Sequence, residues 1–137
     1  MHTTARLYGA ALLLLLAACG AQPERDPAEE RKYELSGLPE VDRIQNYRLH
    51  GWQSIDGRSL IVDTGPSTFY LVILNRNLTH LRNAEAIAIS STAGTVQARF
   101  DTVSTLREPM DKATIQRIYR LNGRDEAQLA KKAILAY

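Results

Sequence analysis

The sequence is poor in the residues on which most metal and covalent catalytic sites depend. It contains one cysteine, Cys19, among 137 residues, which excludes an internal disulfide bond and a cysteine-rich metal site. Its two candidate histidine ligands, His50 and His80, have neither Asp63 nor Asp101 at a recognised ligand spacing. There is no glycine-rich phosphate loop. We therefore expect no metal and no cofactor, and a fold stabilised by packing alone.

An excess of charge and a long apolar run are also missing. The chain has 17 Lys and Arg against 15 Asp and Glu, a net charge of +2, which disfavours nucleic acid as a partner. Its longest apolar run extends from Ala10 to Ala18, about half of the ~20 residues that a membrane-spanning helix needs. A permanent transmembrane helix is therefore not expected.

Residues 1–18 at the N-terminus are predicted to form a signal peptide. Arg6 supplies a positive charge, the apolar run follows it, and small residues lead to Cys19. This order of positive, apolar and small residues is typical of secretory signals.

Residues Leu16 to Cys19 resemble a bacterial lipobox. The resemblance implies that Cys19 is lipidated and that the signal is cleaved before it. Several acyl chains would anchor the protein stably. Gly20 follows, rather than the aspartate typical of inner-membrane retention, which implies the periplasmic face of the outer membrane. The alternative is a signal peptide with an incidental cysteine.

Residues 19–38 are predicted to form a flexible linker between this anchor and a single domain, residues 39–137. The linker carries two prolines, two glycines and eight charged residues, a composition that does not bury enough surface to fold. A coil of its length would hold the domain roughly 23 Å from the bilayer on average. A helical turn over Glu29 to Lys32 is the alternative.

The remaining chain is predicted to be mainly β with a C-terminal helix, an α+β fold. About six strands, separated by turn signals, indicate a small antiparallel β-barrel or sandwich. The segment Phe69 to Leu74 is apolar on both faces, which favours a central strand. Alternating residues predict further strands over Val96 to Phe100 and Thr114 to Leu121.

Two local patterns predict how the ends of this domain are built. Asp56-Gly57 predicts a two-residue hairpin turn in which His50 lies opposite Asp63 and Trp52 opposite Ile61. Asp125 resembles the N-cap of a final helix. Its buried face is expected to carry four residues, which are Ala130, Ala133, Ile134 and Tyr137.

Six short stretches carry a resemblance to a known family: Gly51 to Asp56, Leu60 to Val62, Tyr70 to Val72, Ala84 to Ile87, Ser91 to Gly94 and Arg99 to Asp101. They are similar to a family of small proteobacterial exported proteins and lipoproteins that is known only as a domain of unknown function. Its members often have cysteines near the positions of Leu78 and Thr114, where this chain has none. The resemblance implies an exported β-rich domain and brings no activity with it.

A small set of residues offers catalytic chemistry. His50 and Asp63 would form a base and its orienting carboxylate if the hairpin pairs them. Ser54, Ser59 and Ser67 are the available nucleophiles, but none lies in a nucleophile-elbow motif. The alternative interpretation of the pair is an ordinary polar contact across two strands.

A second set of residues offers binding chemistry. Arginine suits bidentate contacts with carboxylate or phosphate groups, and Trp52 could stack on a ligand or belong to the core. An arginine-rich surface without a ligand is the alternative. The candidate arginines in predicted strands are Arg48, Arg58, Arg99, Arg117 and Arg120.

These observations lead to three hypotheses. The first is a non-enzymatic binding or assembly module, held on the membrane by its lipid anchor, whose partner is an anionic envelope component or an envelope protein. The second is a small periplasmic hydrolase that uses His50 and Asp63. The third is a structural spacer without a binding surface.

Overall fold

The computed structural model describes residues 26–137. The predicted signal peptide, Cys19 and the first part of the predicted linker lie outside these residues. The helices are α1 (Pro27–Lys32), a single 3-10 turn (Leu81–Asn83) and α2 (Arg124–Leu135). The strands are β1 (Glu40–Val41), β2 (Arg43–Ile44), β3 (Gly51–Ser54), β4 (Ser59–Gly65), β5 (Thr68–Leu74), β6 (Ile87–Ile89), β7 (Val96–Gln97), β8 (Thr102–Thr105) and β9 (Lys112–Leu121).

Six strands form one curled antiparallel sheet in the order β3-β4-β5-β9-β8-β6, a half-barrel that is followed by the C-terminal helix. β1 pairs with the free edge of β9, and β2 and β7 form a separate two-stranded ribbon. The predicted β-rich fold with a terminal helix is confirmed. Within residues 26–137, no helix has the length and apolar character needed to cross a membrane.

The sheet has an apolar core on each face, because β5 and β9 bury residues on both sides. The core that we call the barrel core contains Val72, Leu74 and Ile118 and is closed by the β2–β7 ribbon and the residues around the 3-10 turn. The core that we call the helix core contains Leu71, Ile73, and the buried side of α2. The prediction of a central strand that is covered on both faces is confirmed for β5.

The β3–β4 hairpin differs from the prediction by one residue. Ile55 N donates to Ser59 O, so the loop has three residues, and Trp52 lies opposite Val62 rather than Ile61. Asp56 causes the shift, because its carboxylate accepts hydrogen bonds from Arg58 N at 2.9 Å and from Ser59 Oγ at 2.7 Å. A shift of one residue exchanges the faces of a strand, and Trp52 therefore packs against the barrel core.

The strand predicted over Val96 to Phe100 is also wrong beyond Gln97. The chain turns at residues 98–100, with Arg99 at φ +66° and Phe100 exposed. Asp101 holds this turn, because its buried carboxylate accepts from Gln97 N at 2.6 Å and from Ser90 Oγ at 2.7 Å. The Asp101 carboxylate thus accepts the hydrogen bond from Gln97 N that a neighbouring strand would accept in a continuous sheet.

The C-terminal helix begins before the predicted cap. Gly123, at φ +111° in the region that favours glycine, is the N-cap and supplies no side chain. Asn122 N instead donates to the Glu126 carboxylate. The buried face consists of Ala127, Ala130 and Ile134, whereas the predicted members Ala133 and Tyr137 are exposed.

Residues 27–38 are not the solvated linker that the composition predicts. Asp26 caps α1 through a 2.9 Å bond from Ala28 N, and the alternative prediction of a helical turn is the one that applies. Tyr33 is 2% exposed in the helix core, and Leu35 and Leu38 pack against the same core. These few apolar side chains dock the segment because the domain, rather than the segment itself, supplies the rest of the apolar surface.

Candidate functional site

A buried polar cluster joins the N-terminal segment to the hairpin, and we call it the clasp. At its centre is Asp56, which is 3% exposed. One carboxylate oxygen accepts from Tyr33 Oη and contacts Lys32 Nζ, each at 2.9 Å, and the other holds the hairpin loop. Burial alone would raise the pKa of Asp56, but the hydrogen bonds from Lys32, Ser59, Arg58 N and Tyr33 outweigh it and lower this pKa.

Arg58 forms the second half of the clasp and is 4% exposed. Its Nε donates to Leu74 O at 2.6 Å, and Nη2 donates to Glu30 Oε1 at 2.8 Å and to Gln116 Oε1 at 2.6 Å. The guanidinium also lies 4.7 Å from the centre of the Tyr33 ring, within the range of a cation–π contact. Arg58 therefore links α1, β5 and β9.

The clasp has a structural role. Its buried groups are bonded to one another, and no buried side-chain nitrogen or oxygen in residues 26–137 lacks a partner. Desolvation and the hydrogen bond to Asp56 raise the pKa of Tyr33 above its ordinary value, so the phenol stays a neutral donor. The clasp thus offers no free group to a ligand and serves to hold the N-terminal segment.

A cleft of about 500 Å³ is the best candidate for a binding site. One wall is the segment 80–86 around the 3-10 turn, which is fixed by the fully buried Leu81. The other wall is the end of β8 and the residues after it. The two walls are joined by pairing of Ile87 with Thr105 and by the bond from Leu106 N to Ala86 O at 3.1 Å.

The lining of this cleft combines apolar and hydrogen-bonding groups. Cavities of 300–1,000 Å³ with a few converging polar groups are typical of small-molecule sites. At the rim, His80 Nε2 lies 2.9 Å from Glu108 Oε1. The eight lining residues are His80, Asn83, Ala84, Glu85, Ala86, Thr105, Leu106 and Arg107.

The cleft contains several groups that can hold a ligand, and one base–carboxylate contact, His80 to Glu108, lies at its rim. Its one hydroxyl is Thr105, a buried residue whose Oγ1 accepts from Glu108 N at 3.3 Å, and no base contacts it. Among the described residues, no group of His, Cys, Asp and Glu could hold a metal ion. Arg107 and Asn83 supply donors that suit anionic or carbonyl oxygens.

The predicted pair of His50 and Asp63 is not brought together. Gly51, not His50, lies opposite Asp63, and the Asp63 carboxylate accepts from Gly65 N at 3.0 Å in its own turn. His50 is exposed and contacts Asp63 only through its backbone N, at 2.9 Å from Asp63 O. The hydrolase hypothesis therefore lacks the base–carboxylate contact on which it depends.

The five candidate arginines do not form one exposed site. Arg58 is enclosed in the clasp, Arg117 lies 3.8 Å from Glu34, and Arg99 pairs with Asp42 at 3.1 Å. Arg48 and Arg120 are exposed, and Arg120 points to the opposite face of β9 from Arg117 by strand alternation. Only Arg117 and Arg120 lie in strands, because Arg48 precedes β3 and Arg58 and Arg99 occupy turns.

Trp52 is a core residue at the edge of the sheet. It is partly buried against the barrel core and also lines a shallow groove of about 170 Å³. Asp63, Arg124 and Gln128 contribute polar groups to that groove. Trp52 thus packs against the core, as one of the two interpretations expects, without being enclosed by it.

The sequence held only faint signals for the clasp and the cleft. The apolar residues Tyr33, Leu35 and Leu38 within a charged segment were the signal for docking. No sequence signal indicated the pair of His80 and Glu108, because the two are 28 positions apart and neither belongs to a motif.

Comparison with known proteins gives a family and no close relative of known activity. No curated protein and no solved structure matches the chain. A protein-family model matches residues 1–136, nearly the whole chain. The chain belongs to the family described as "Family of unknown function (DUF6491)".

Proposed function

We propose that this protein is a lipid-anchored binding module of the bacterial cell envelope, located at the periplasmic face of the outer membrane, with the cleft as its binding site. The observation that carries the binding role is the cleft itself: about 500 Å³ beside Arg107, Asn83 and the His80–Glu108 pair. A site of this size accommodates a small molecule or the end of a polymer rather than a protein surface.

The sequence of the N-terminus supports the location. Residues Leu16 to Cys19 resemble a lipobox, and Gly20 follows the cysteine. The clasp fits this arrangement, because Glu30, Lys32 and Tyr33 fix the chain to the domain 11 to 14 positions after the proposed anchor. Lipidation would use the only cysteine in the sequence.

The cleft indicates the chemical class of the ligand. Arg107 favours a carboxylate or phosphate group, and the amide of Asn83 can donate or accept a hydrogen bond. Ala84, Ala86 and Leu106 supply apolar contact. The lining also contains the acid Glu85, so an envelope component with an anionic group for Arg107, a hydrogen-bond donor for Glu85 and an apolar portion fits it best.

Metabolic labelling with palmitate and measurement of the intact mass test the lipid anchor. Cells that express the tagged chain are fed radioactive palmitate, and the processed protein is analysed by intact mass. We expect label on the wild type, a mass increase for three acyl chains, and neither in Cys19→Ala. Processing to an unmodified chain would overturn the anchor.

The binding role is tested by capture of small molecules. The protein is purified from envelope extracts in mild detergent, and the molecules that co-purify are measured by mass spectrometry. We expect an anionic species with the wild type and with Arg120→Ala, an exposed arginine outside the cleft, and a loss of this species with Arg107→Ala. Equal capture by both variants would contradict the assignment.

A further inference from the structure

The loop between β8 and β9 exposes apolar side chains beyond the end of the sheet. Leu106 is 63% exposed and Met110 is 90% exposed, and Pro109 lies between them in an exposed stretch. The nearby acids are paired, since Glu108 contacts His80 at 2.9 Å and Asp111 contacts Arg76 at 2.5 Å. Residues 106–111, which we call the tip loop, contain one basic and two acidic side chains, and the adjoining Arg76 and Lys112 bring this end of the molecule to three basic against two acidic side chains.

The tip loop lies at the same end of the sheet as the start of the described chain. Asp26 O accepts from Glu30 N at 3.0 Å, and Glu30 bonds to Arg58 in the clasp. Arg58 Nε bonds to the last residue of β5, Leu74, and two residues later Arg76 reaches Asp111 of the tip loop. A short and continuous series of contacts therefore joins the N-terminal helix to the tip loop.

The docking of α1 shortens the connection to the proposed anchor. Six residues lie between Cys19 and Asp26, and the seven residue steps that join the two reach at most about 25 Å when fully extended. This limit is a property of chain length alone. The end of the sheet that holds α1 must consequently stay close to any bilayer that holds acyl chains on Cys19.

We infer that the tip loop docks on the lipid bilayer that carries the anchor, with Met110 and Leu106 entering the interface and the neighbouring base Lys112 facing the headgroup phosphates, while Arg107 stays in the lining of the cleft. The inference rests on the proposed lipidation of Cys19. Apolar side chains beside basic residues are the composition with which peripheral proteins bind the interface of anionic bilayers. A second contact next to the lipid anchor would fix the orientation of the domain as well as its location.

The single cysteine of the chain makes a site-specific test possible. Because Cys19 is consumed by lipidation, a cysteine introduced elsewhere is the one free thiol for a polarity-sensitive fluorophore. The lipidated full-length protein carrying Met110→Cys is labelled and reconstituted into vesicles of phosphatidylethanolamine and phosphatidylglycerol. Two matched controls carry the label on Ser67→Cys, in the exposed turn at the other end of β4, or on Phe100→Cys, an apolar position that is 68% exposed.

The docked tip loop predicts that the label on residue 110 shifts to shorter emission wavelength and loses emission when nitroxide-bearing lipids are included. The labels on residues 67 and 100 should keep the emission that they have in water. A label on Leu106→Cys should behave like that on residue 110 and protects the test against a local effect of one substitution. Replacement of Met110 by Asp should return the label on residue 106 to its emission in water.

Flotation of the same samples separates the two proposals. If the chain does not float with the vesicles and its mass shows no acyl chains, the lipid anchor and the docked tip loop are both overturned. If the chain is acylated and floats while residue 110 remains water-exposed, only the docked tip loop is overturned. Quenching at residue 67 or 100 instead of residue 110 also overturns it, because the domain would then present another surface to the membrane.

Discussion

At the scale of single residues, Asp56 has the greatest influence on the local structure. Its carboxylate sets the three-residue hairpin loop through Arg58 N and Ser59 Oγ and holds the N-terminal segment through Lys32 and Tyr33. A buried charge is tolerated only where such donors replace water. One side chain therefore determines both the register of β3 and β4 and the position of α1.

Asp56→Asn should destabilise the protein by about 2–4 kcal/mol at pH 7, since it removes a buried charge from its donors and leaves the cluster incompletely satisfied. The folded-state pKa of Asp56 is lowered, so the charged carboxylate stabilises the fold above the ordinary pKa of an aspartate. This contribution is lost as the pH falls below about 4 toward the lower folded pKa. Urea denaturation of wild type and variant at a series of pH values measures the difference, which should shrink in acid.

Asp42→Asn is the matched control for this prediction. Asp42 pairs with Arg99, but both side chains are mostly exposed, at 78% and 69%, and exposed pairs contribute at most about 1 kcal/mol. Equal losses of stability in the two variants, or a difference for Asp56→Asn that does not change with pH, would contradict the role assigned to Asp56.

At the scale of elements, α1 depends on its docking. A helix of six residues is far below the length at which an isolated helix is stable in water. Tyr33→Ala removes the ring that lies in the helix core and the hydroxyl that bonds to Asp56. We expect trypsin to cut after Arg31 and Lys32 faster in this variant than in the wild type, while fragments from the sheet stay protected.

Mass spectrometry of timed digests measures this release, and Tyr137→Ala provides the control. Tyr137 is the same residue type but 69% exposed, so its removal should leave cleavage after Lys32 unchanged. An unchanged rate in Tyr33→Ala would mean that the segment is held by something other than the clasp.

The terminal helix gives a second prediction at this scale. Ile134 is 1% exposed in the helix core, and its neighbour Leu135 is 56% exposed. Ile134→Ala should therefore cost about 2–4 kcal/mol of unfolding free energy, whereas Leu135→Ala should cost less than about 1 kcal/mol. Urea unfolding followed by circular dichroism compares them, and similar losses would place the buried face of α2 elsewhere.

The elements that the sequence predicted correctly are those whose pattern is local. Every residue from Phe69 to Leu74 in β5 is apolar, so apolar side chains line both of its faces. β9 combines β-branched residues with alternation. Both strands can therefore be predicted without knowledge of distant residues. The register of the β3–β4 hairpin depends on distant residues, because Asp56 accepts part of its hydrogen bonds from Lys32 and Tyr33, more than 20 residues earlier. Pattern alone therefore favoured the commoner two-residue turn.

The cleft was hidden from the sequence for a similar reason. Its walls are formed by residues 80–86 and by Thr105 to Arg107, which meet only when β6 pairs with β8. Neither wall carries a catalytic or metal-binding motif. The five candidate arginines were chosen for their predicted strands, while Arg107, in a loop, was left out of that set.

At the scale of the whole molecule, one sheet connects two cores. β5 contributes Val72 to the barrel core and Ile73 to the helix core, and β9 likewise contributes Ile118 and Tyr119. Neither core is complete without these two strands. Damage to one core should consequently weaken the other, and the domain should unfold as a single cooperative unit.

Trp52 allows this cooperativity to be measured, because it is the only tryptophan. It packs against the barrel core and borders the groove that contains Arg124 and Gln128, whereas Ile134 lies in the helix core. In Ile134→Ala, the urea midpoint seen by Trp52 fluorescence should fall together with the midpoint seen by far-ultraviolet circular dichroism, with little change in the slope of free energy against urea. The wild type, measured with both probes, is the reference. If Trp52 kept its wild-type midpoint while the circular dichroism signal of α2 was lost earlier, the helix core would unfold separately and the shared strands would not couple the two faces.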